Sequence, residues 1–397
     1  MNMLRVDEAR ALIVAATRSL DSEMVRLESA AGRVLSEPVR ARLTQPPFDA
    51  SAMDGYAVRL ADCRAGARLR VVGEAAAGRR FSGQVVPGCA VRIFTGGALP
   101  PGADHVLIQE DADRDGKNVI VRNPPSGPQN IRHAGLDFRS GDLLADAGAE
   151  LSGPLLALLA AGGVREVAVR RRPRVALIAN GDELVLPGVM PEEDGIVCSI
   201  PFGLAPMIES WGGAADFLGI AKDDPHDIGA FIDKAREFDL IVPIGGASVG
   251  DRDFMRAAFE AKGLSPIFQK VALKPGKPAW FGALGAAFVL GLPGNPASAL
   301  IGARLFLKPA IRALLGAPAG ETYLRARAGD ALPANGARET YLRAALWAGE
   351  DGVWIATPFS VQDSSVLSVL ARSGVLIRRA IDAAKVEKGA LIECVKF

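Results

Sequence analysis

Apolar and polar residues alternate with different periods along the chain, and each period predicts a different structure. Residues 6–20 carry apolar side chains at helical spacing, which predicts one amphipathic helix. Residues 46–139 consist of short alternating runs separated by Gly, Pro and Asp clusters, which is typical of a small β module. A helical pattern returns over residues 151–163, and the basic run at residues 170–173 then marks a boundary.

The second half of the chain has the pattern of a layered domain. From residue 174 onward, continuous apolar runs alternate with helical patterns as far as residue 315. Buried parallel strands joined by helices satisfy this pattern, because each helix covers a face of the sheet that would otherwise meet water. Residues 321–397 return to short strands and turns. The pattern therefore predicts a doubly wound α/β domain followed by a β domain.

One long uncharged segment resembles a membrane span until its interior is inspected. Residues 278–303 lack charge, but Gly and Pro interrupt them repeatedly. We expect strand, turn and helix there. The first ten residues carry Arg5, Asp7 and Glu8 and do not suit a signal peptide. The sequence therefore predicts a soluble, cytoplasmic protein with no membrane partner.

Composition narrows the class of protein further. The chain has 397 residues, of which 49% are hydrophobic and 23% charged, a globular ratio. The 46 Lys and Arg residues nearly balance the 45 Asp and Glu residues, which argues against a nucleic-acid partner. The 4 cysteines and 3 histidines are scattered, so neither a disulfide framework nor a zinc site is expected.

Acidic residues follow three of the predicted strands. In an open parallel sheet the ligand crevice lies at the carboxyl ends of the strands, so these acids should meet at one edge. Carboxylate oxygens without histidine suit a hard ion such as Mg²⁺. The alternative for each residue is the capping of a helix N-terminus. The acids that follow the strands are Asp182, Glu183, Asp223, Asp224, Asp251 and Asp253.

Two glycine-containing turns lie between predicted strands and helices. Small residues there allow backbone N–H groups to approach a phosphate, and the helix N-terminus favours its charge. A plain tight turn or a rigid start of a helix is the alternative. The first turn contains Gly245, Gly246, Ser248 and Gly250, and the second contains Pro293, Gly294, Asn295 and Pro296.

Three lysines, Lys270, Lys274 and Lys277, lie between these turns in the sequence. Lysines usually decorate solvated faces, which is the alternative for each of them. Beside two phosphate-compatible turns, they indicate an anionic ligand with more than one charge centre.

The β module offers oxygen atoms of its own. Asp49 and Asp54 lie in the turn-rich segment of residues 46–57, and Thr95 and Asp137 follow in later loops. Such residues are commonly turn formers. The sequence pattern alone does not join them to the α/β domain.

With these segments in view, the chain resembles the molybdopterin molybdenumtransferases, and it is similar to the C-terminal domain of gephyrin. The matching segments occur in family order over nearly the whole chain and weaken only in the last domain, which makes them more specific together than alone. They are PPFDASAMDGYAVR, VRIFTGGALPPGADHV, QNIRHAGLDFRSGD, RVALIANGDELVLPG, AKDDPHD, GGASVGDRDF, KVALKPGKPAWFG and GLPGNPASAL.

The resemblance implies an α/β and β multidomain subunit. An extended linking domain would comprise residues 1–45 and 140–172, with the β module of residues 46–139 inserted in it. Residues 173–318 would form the molybdopterin-binding doubly wound domain, and residues 319–397 a β-barrel-like domain. The resemblance also implies an elongated homodimer in which the β module of one subunit faces the α/β domain of the other.

The family's reaction transfers molybdenum from molybdate to adenylylated molybdopterin, uses Mg²⁺ and releases AMP. An upstream adenylyltransferase and acceptor molybdoenzymes would then be partners. Glu183, Asp54 and Asp137 would bind the metal. Pro293 and Pro296 would shape a loop. The residues that match the family's site are Asp54, Thr95, Asp137, Glu183, Asp223, Asp253, Lys270, Lys274, Pro293, Pro296, Arg338 and Ser364, with Gly245, Gly246, Ser248, Gly250, Lys277, Gly294 and Asn295 as further ligand-binding residues.

The chain departs from the family pattern at several positions. Ile244 replaces a hydroxyl residue, Cys198, Ser199 and Ile200 replace Asp-Ser-Asn, and residues 363–365 read Asp-Ser-Ser in place of Gly-Ser-His. Ile244 and Ile200 favour a second hypothesis, a divergent paralogue that binds the cofactor or a partner enzyme without catalysis, whereas the retained carboxylates favour the enzyme. A third hypothesis, the upstream adenylyl-transferring enzyme, fits less well because that enzyme resembles a single α/β domain.

Overall fold

The computed structural model describes residues 3–246 and 254–397. Over these residues the chain builds three six-stranded sheets and several two-stranded ribbons. The first sheet belongs to the β module, the second to the α/β domain and the third to the C-terminal domain. The multidomain α/β and β fold class expected from the sequence is therefore confirmed.

The N-terminal helix is shorter than the sequence predicts. It spans Val6–Ala16, and its buried face, which includes Val6 and Ile13, joins the core of the α/β domain. The prediction that it continues to residue 20 is wrong. At Thr17 the backbone becomes extended and leaves the helix. The N–H of Leu20 then donates to the carbonyl of Leu314.

The linking region forms a small core from two distant parts of the chain. Its strands pair antiparallel. Ser152 caps its helix, because the hydroxyl of Ser152 accepts the N–H of Leu155. Buried Leu35, Leu151 and Leu159 pack together inside it. The elements are the strands Ser22–Arg26, Val39–Arg40, Leu143–Ala145 and Glu166–Arg170 and the helix Gly153–Ala161.

The β module is a six-stranded sheet with a central strand that the sequence pattern did not reveal. Residues 46–57 were expected to form a turn-rich loop, but Gly55–Val58 is a buried strand between two neighbouring strands. In spatial order the strands of the sheet are His105–Ile108, Gly55–Val58, Cys89–Ile93, Arg68–Ala75, Asn118–Val121 and Ala112–Asp115, with a separate pair Ala50–Ser51 and Ile131–Arg132 beside it.

The sheet of the α/β domain is mixed, so the expectation of parallel strands throughout is wrong. Four strands run parallel, and Trp280–Leu284 pairs antiparallel with the neighbour on each of its sides. The turn at Gly285 is the reason: it joins two neighbouring strands directly, whereas a parallel pair needs a long crossover. In spatial order the strands are Ala214–Ala221, Arg174–Asn180, Leu240–Ile244, Ala287–Gly291, Trp280–Leu284 and Ser265–Phe268.

Helices cover both faces of this sheet, as expected of a doubly wound domain. One apolar core lies between the sheet and the helices around residues 200–210 and 296–314, and the other lies beneath the helices of residues 225–235 and 254–261. The helices are Ile200–Ser210, Pro225–Ala235, Phe254–Ala261, Pro296–Gly302 and Lys308–Leu314, with the last two joined by the π-helical segment Ala303–Leu307.

The long uncharged segment of residues 278–303 forms a hairpin followed by a helix, so it contains one strand more than expected. Among the helices that the structure describes, none is long and apolar enough to cross a bilayer.

The C-terminal domain is a closed five-stranded barrel with a short helix, Leu367–Ala371. Closure occurs because Glu339–Ala348 pairs on one side with Trp354–Pro358 and on the other with Val375–Arg379. A short strand from the α/β domain, Leu273–Lys274, pairs with the start of Glu339–Ala348. The remaining barrel strands are Leu324–Ala328 and Leu391–Lys396.

Candidate ligand-binding site

A cavity of about 740 Å³, the main cavity of this site, opens at the carboxyl ends of the parallel strands. This is the edge at which the sequence places the acids and the glycine turns. Residues from three strand ends and two turns line it together. The predicted site residues among them are Glu183, Asp223, Gly245, Gly246, Pro293, Gly294, Asn295 and Pro296.

The two described glycines of the first turn leave no room for a side chain. Gly245 and Gly246 have φ values of 96° and 60°. A Cβ atom on Gly245 would lie 2.6 Å from the carbonyl oxygen of Asn180, and one on Gly246 would lie 2.7 Å from the Cβ of Met255. A Cβ on Gly294 would lie 3.5 Å from Gly245, so the two turns are in contact.

Asn180 is a residue of this cavity that the sequence analysis missed. It is buried, and its Nδ2 donates to the carbonyls of Ala221 at 3.2 Å and Lys222 at 3.1 Å. These bonds fasten the end of one strand to the loop that carries Asp223. The sequence did contain a signal for Asn180, because this polar residue directly follows the apolar run VALIA.

The two interpretations of the acids, ligand binding and helix capping, apply to different residues. Asp224 is a helix cap, because its carboxylate accepts the N–H groups of His226 and Asp227. Asp182 accepts the N–H of Asp223 at 3.1 Å and so ties two strand ends together. Glu183 lines the cavity as an exposed carboxylate. Ser248, Gly250, Asp251 and Asp253 lie outside the described residues.

The positions that depart from the family pattern are also in this cavity. Ile244, Cys198 and Ile200 are buried and form part of its wall. Burial raises the pKa of the Cys198 thiol, so this group is neutral at physiological pH. These side chains make one side of the cavity apolar.

A second cavity of about 370 Å³ adjoins the first, and Pro278 lines both. It brings together Lys274, Lys277, Arg338 and Ser364, four predicted residues from the α/β domain and the barrel. Positive charge dominates its lining, which suits an oxyanion.

Arg343 adds a further cation to the second cavity and was not predicted. It is buried, and its guanidinium donates to the carbonyl of Asp363 at 2.7 Å and to the Oε1 of Gln362 at 3.2 Å. Burial lowers the pKa of Arg343, although the charge of Asp363 opposes this shift. Asn295 connects the two cavities, because its Nδ2 donates to the Oγ of Ser364 at 3.2 Å.

Lys270 does not join the other two lysines. Its side chain is exposed and lines neither cavity, while its carbonyl accepts the N–H of Leu4. The structure therefore separates Lys270 from Lys274 and Lys277, which the sequence grouped together.

The predicted residues of the β module lie on its exposed loops. Asp54 accepts the N–H and the hydroxyl of Thr95, at 2.8 Å and 2.9 Å, and these bonds lower the pKa of Asp54. Asp137 is exposed, and its N–H donates to the carbonyl of Gln45. None of the three predicted residues lines either cavity.

One copy of the chain does not assemble the predicted magnesium ligands. Within residues 3–246 and 254–397, no three His, Cys, Asp or Glu side chains come together in a way that could hold a metal ion. Glu183 lies in the main cavity, whereas Asp54 and Asp137 belong to the β module.

Together, the crevice at the strand ends and the cationic cavity are the features of a protein whose site suits an extended, multiply anionic ligand. Family models cover most of the chain. Residues 4–163 match the MoeA N-terminal region (domain I and II), residues 176–313 match a probable molybdopterin binding domain, and residues 325–397 match the MoeA C-terminal region (domain IV).

Individual relatives agree with these matches. The chain is 37% identical to a molybdopterin molybdenumtransferase of Nostoc sp. over 82% of this chain and 77% of that one, and 37% identical to one of Haemophilus influenzae over 79% and 78%. A crystal structure of the molybdopterin biosynthesis moeA protein of Pyrococcus horikoshii OT3 superposes with a TM-score of 0.87 at 28% identity over the full length of both chains. The chain belongs to the molybdopterin molybdenumtransferase family.

Proposed function

We propose that the protein transfers molybdenum from molybdate to adenylylated molybdopterin and releases AMP. The observation that carries this proposal is the pair of adjoining cavities, one with a carboxylate and two glycine turns, the other lined by cations. A ligand that contains both a pyrophosphate and a dithiolene, together with an oxyanion, needs such a divided site. The relatives named molybdopterin molybdenumtransferase support the same reaction.

Each cavity would have its own task in binding. Backbone N–H groups of the turns at Gly245 and Gly294 would bind the phosphates, and Pro293 and Pro296 would fix the shape of the second turn. Lys274, Lys277 and Arg338 would hold the oxyanion by charge-assisted hydrogen bonds. Asp223 would complete the acidic edge of the main cavity. No covalent intermediate with the protein is required.

The acids available to Mg²⁺ are of the right chemical kind, because hard divalent cations prefer carboxylate oxygens. Glu183 would supply one ligand, and Asp54 and Asp137 would supply others, with Thr95 keeping the Asp54 carboxylate in place. The bound ion would neutralise phosphate charge during cleavage of the pyrophosphate.

These acids would meet in a homodimer, with the β module of one copy facing the α/β domain of its partner. Exposed apolar side chains beside the acids support this arrangement. Met53 precedes Asp54 and is 44% exposed, and Leu136 precedes Asp137 and is 67% exposed. Large apolar groups at such positions are typical of an interface.

The proposal keeps the division of the chain into a linking domain, an inserted β module, an α/β domain and a barrel.

In the cell, the proposed reaction would take place in the cytoplasm. An adenylyltransferase would supply the substrate, and molybdoenzymes would accept the product.

A second candidate function is binding without catalysis. The apolar wall made by Ile244, Cys198 and Ile200 favours it, because these residues replace polar groups in the family pattern. Such a protein would hold finished molybdenum cofactor or act as a scaffold for a partner enzyme.

The test is an assay of the purified protein with adenylylated molybdopterin, Mg²⁺ and molybdate, in which AMP and active cofactor are measured. We expect both products. We expect Lys274→Ala to lower kcat/KM by about tenfold or more, because one charge-assisted hydrogen bond contributes about 1.5 to 3 kcal/mol. Lys388→Ala, at an exposed lysine outside both cavities, is the control. Ligand binding without either product would favour the binding protein.

A further inference from the structure

Three loops of the β module meet beside Asp54. The first loop is residues 45–54, the second residues 94–98 and the third residues 129–138. Ala50–Ser51 of the first loop pairs with Ile131–Arg132 of the third. The N–H of Ser51 also donates to the carbonyl of Gly97 in the second loop, at 2.9 Å. The proposed metal ligands Asp54 and Asp137 therefore belong to separate loops, whose relative position depends on the hydrogen-bonded cross-links between them.

Asp49 is one of these cross-links. Its Oδ1 accepts the N–H of Ala134 at 2.8 Å, and its Oδ2 lies 3.2 Å from the Nδ1 of His133. Its own carbonyl accepts the N–H of Leu99. The bond from Ala134 is the main reason that the pKa of Asp49 lies below its usual value, so the carboxylate is ionised at neutral pH.

Asp137 lacks such an anchor of its own. In the part of the chain that the structure describes, its carboxylate has no hydrogen-bond partner, and only its backbone N–H is bonded, to Gln45 at 3.0 Å. Backbone bonds hold the chain on both sides of Asp137, from Gly135 to Pro46 on one side and between Phe138 and Gln45 on the other, and the Asp49 side chain adds the bond from Ala134. The Asp49 side chain therefore adds to these backbone bonds in holding the loop that carries Asp137.

We propose that Asp49 is a positioning residue that fixes the loop of Asp137 relative to that of Asp54. Both carboxylate oxygens of Asp49 already face the third loop, so it acts on that loop and not on the ligand. The inference rests on the proposed function, in which Asp137 binds Mg²⁺. Loss of the Asp49 bond would weaken metal binding more than binding of the organic substrate.

The test compares three variants. Asp49→Ala removes the bond, whereas Asp49→Asn keeps an oxygen that can accept the N–H of Ala134. Asp142→Ala is the matched control, because Asp142 also accepts a backbone N–H at 2.8 Å, from Arg139, but does not connect two loops. All variants are first checked for an unchanged Tm. If Asp49→Ala fails to fold, Asp49→Leu, which is closer to aspartate in size but also removes the bond from Ala134, takes its place with the same expected results.

We expect Asp49→Ala to raise the Mg²⁺ concentration for half-maximal turnover by about tenfold, the effect of losing one hydrogen bond to a charged group. The KM for adenylylated molybdopterin should change by less than about twofold, since the bond does not reach the cavities that bind it. Asp49→Asn should recover most of the magnesium response, and Asp142→Ala should match the wild type. An unchanged magnesium response in Asp49→Ala, or an equal change in Asp142→Ala, would overturn the proposal.

A measurement without turnover separates this inference from the proposed function. Amide hydrogen exchange of residues 131–137 should be faster in Asp49→Ala than in the wild type and in Asp142→Ala. If the wild type makes no AMP but this difference is present, the enzyme assignment fails and the role of Asp49 in holding the loop remains. Equal exchange in all three proteins would contradict that role.

Discussion

At the scale of single residues, one buried ion pair connects the α/β domain to the barrel. Arg304 donates to both carboxylate oxygens of Glu321, at 2.7 Å and 2.9 Å, and also to the carbonyl of Lys396. The two side chains are only 6% and 10% exposed. A buried pair of this kind is sensitive to the loss of one partner, because the other charge is then left without compensation.

Glu321→Gln should therefore destabilise the protein by about 3 kcal/mol. Glu150→Gln is the control. Glu150 pairs with Arg312 of the helix Lys308–Leu314, but the Glu150 side chain is 53% exposed. An exposed pair contributes less than about 1 kcal/mol. Denaturant unfolding of both variants measures the difference, and equal effects would contradict the importance of burial.

The same pair should make stability depend on acidity. Burial by itself would raise the pKa of Glu321, but the hydrogen bond and charge of Arg304 outweigh it, and the pKa lies below its ordinary value of 4.5. A carboxyl whose folded pKa is lowered contributes full stability above its unfolded pKa and loses it as the pH falls through the folded pKa. The Tm of the wild type should thus fall more steeply below pH 4.5 than that of Glu321→Gln. Parallel curves would show that another group is responsible.

The sequence grouped residues that the structure separates. Lys270, Lys274 and Lys277 are close in sequence, yet only the last two line the cationic cavity. Local spacing cannot reveal this, because the direction of each side chain depends on the barrel packed against residues 273–274. Arg338 was predicted only through the family resemblance, since nothing in its own neighbourhood marks it as a binding residue.

At the scale of elements, the strand Gly55–Val58 shows why a short buried strand is hard to predict. It follows a segment rich in Asp and turn-forming residues, and four apolar or small residues are too few to establish a period. Gly55 is required there because a Cβ atom would lie 2.1 Å from the carbonyl oxygen of Leu107 in the neighbouring strand. By contrast, the seven-residue strand Arg174–Asn180 was predicted correctly, because its apolar run is continuous.

Gly55→Ala should destabilise the β module by more than about 2 kcal/mol, since the clash is with backbone and not with a flexible side chain. It should also reduce turnover, because Asp54 is the preceding residue. Gly127→Ala is the control, as nothing lies within 4 Å of an added Cβ at that position. Thermal unfolding and the AMP assay measure both effects. A Gly55→Ala protein as stable as the control would show that the two strands can separate without loss.

At the scale of the whole molecule, the proposed metal ligands lie in two separate regions. The carboxylate of Glu183 lies in the main cavity, and those of Asp54 and Asp137 lie on the loops of the β module. The fold class and the order of the elements could be predicted from the sequence, since apolar periods report local structure. The mixed sheet could not, because strand direction depends on whether a tight turn such as that at Gly285 or a crossover joins the strands.

If the site is shared between two copies, mutants can complement each other. Asp54→Ala and Glu183→Ala should each abolish turnover, whereas a mixed dimer of the two retains one intact combination of β module and α/β domain. Differently tagged chains, co-expressed and purified through both tags, should regain part of the wild-type AMP release. The absence of any recovery in confirmed mixed dimers would contradict the shared site.

The pairing of Leu273–Lys274 with the barrel strand limits how far the molecule can be shortened. Without residues 321–397, the backbone that presents Lys274 would lose its strand partner, and Arg338 and Ser364 would be missing from the cationic cavity. The isolated α/β domain would keep its sheet but only part of the anion-binding surface. A minimal fragment for ligand-binding measurements must therefore retain the chain to its C-terminus.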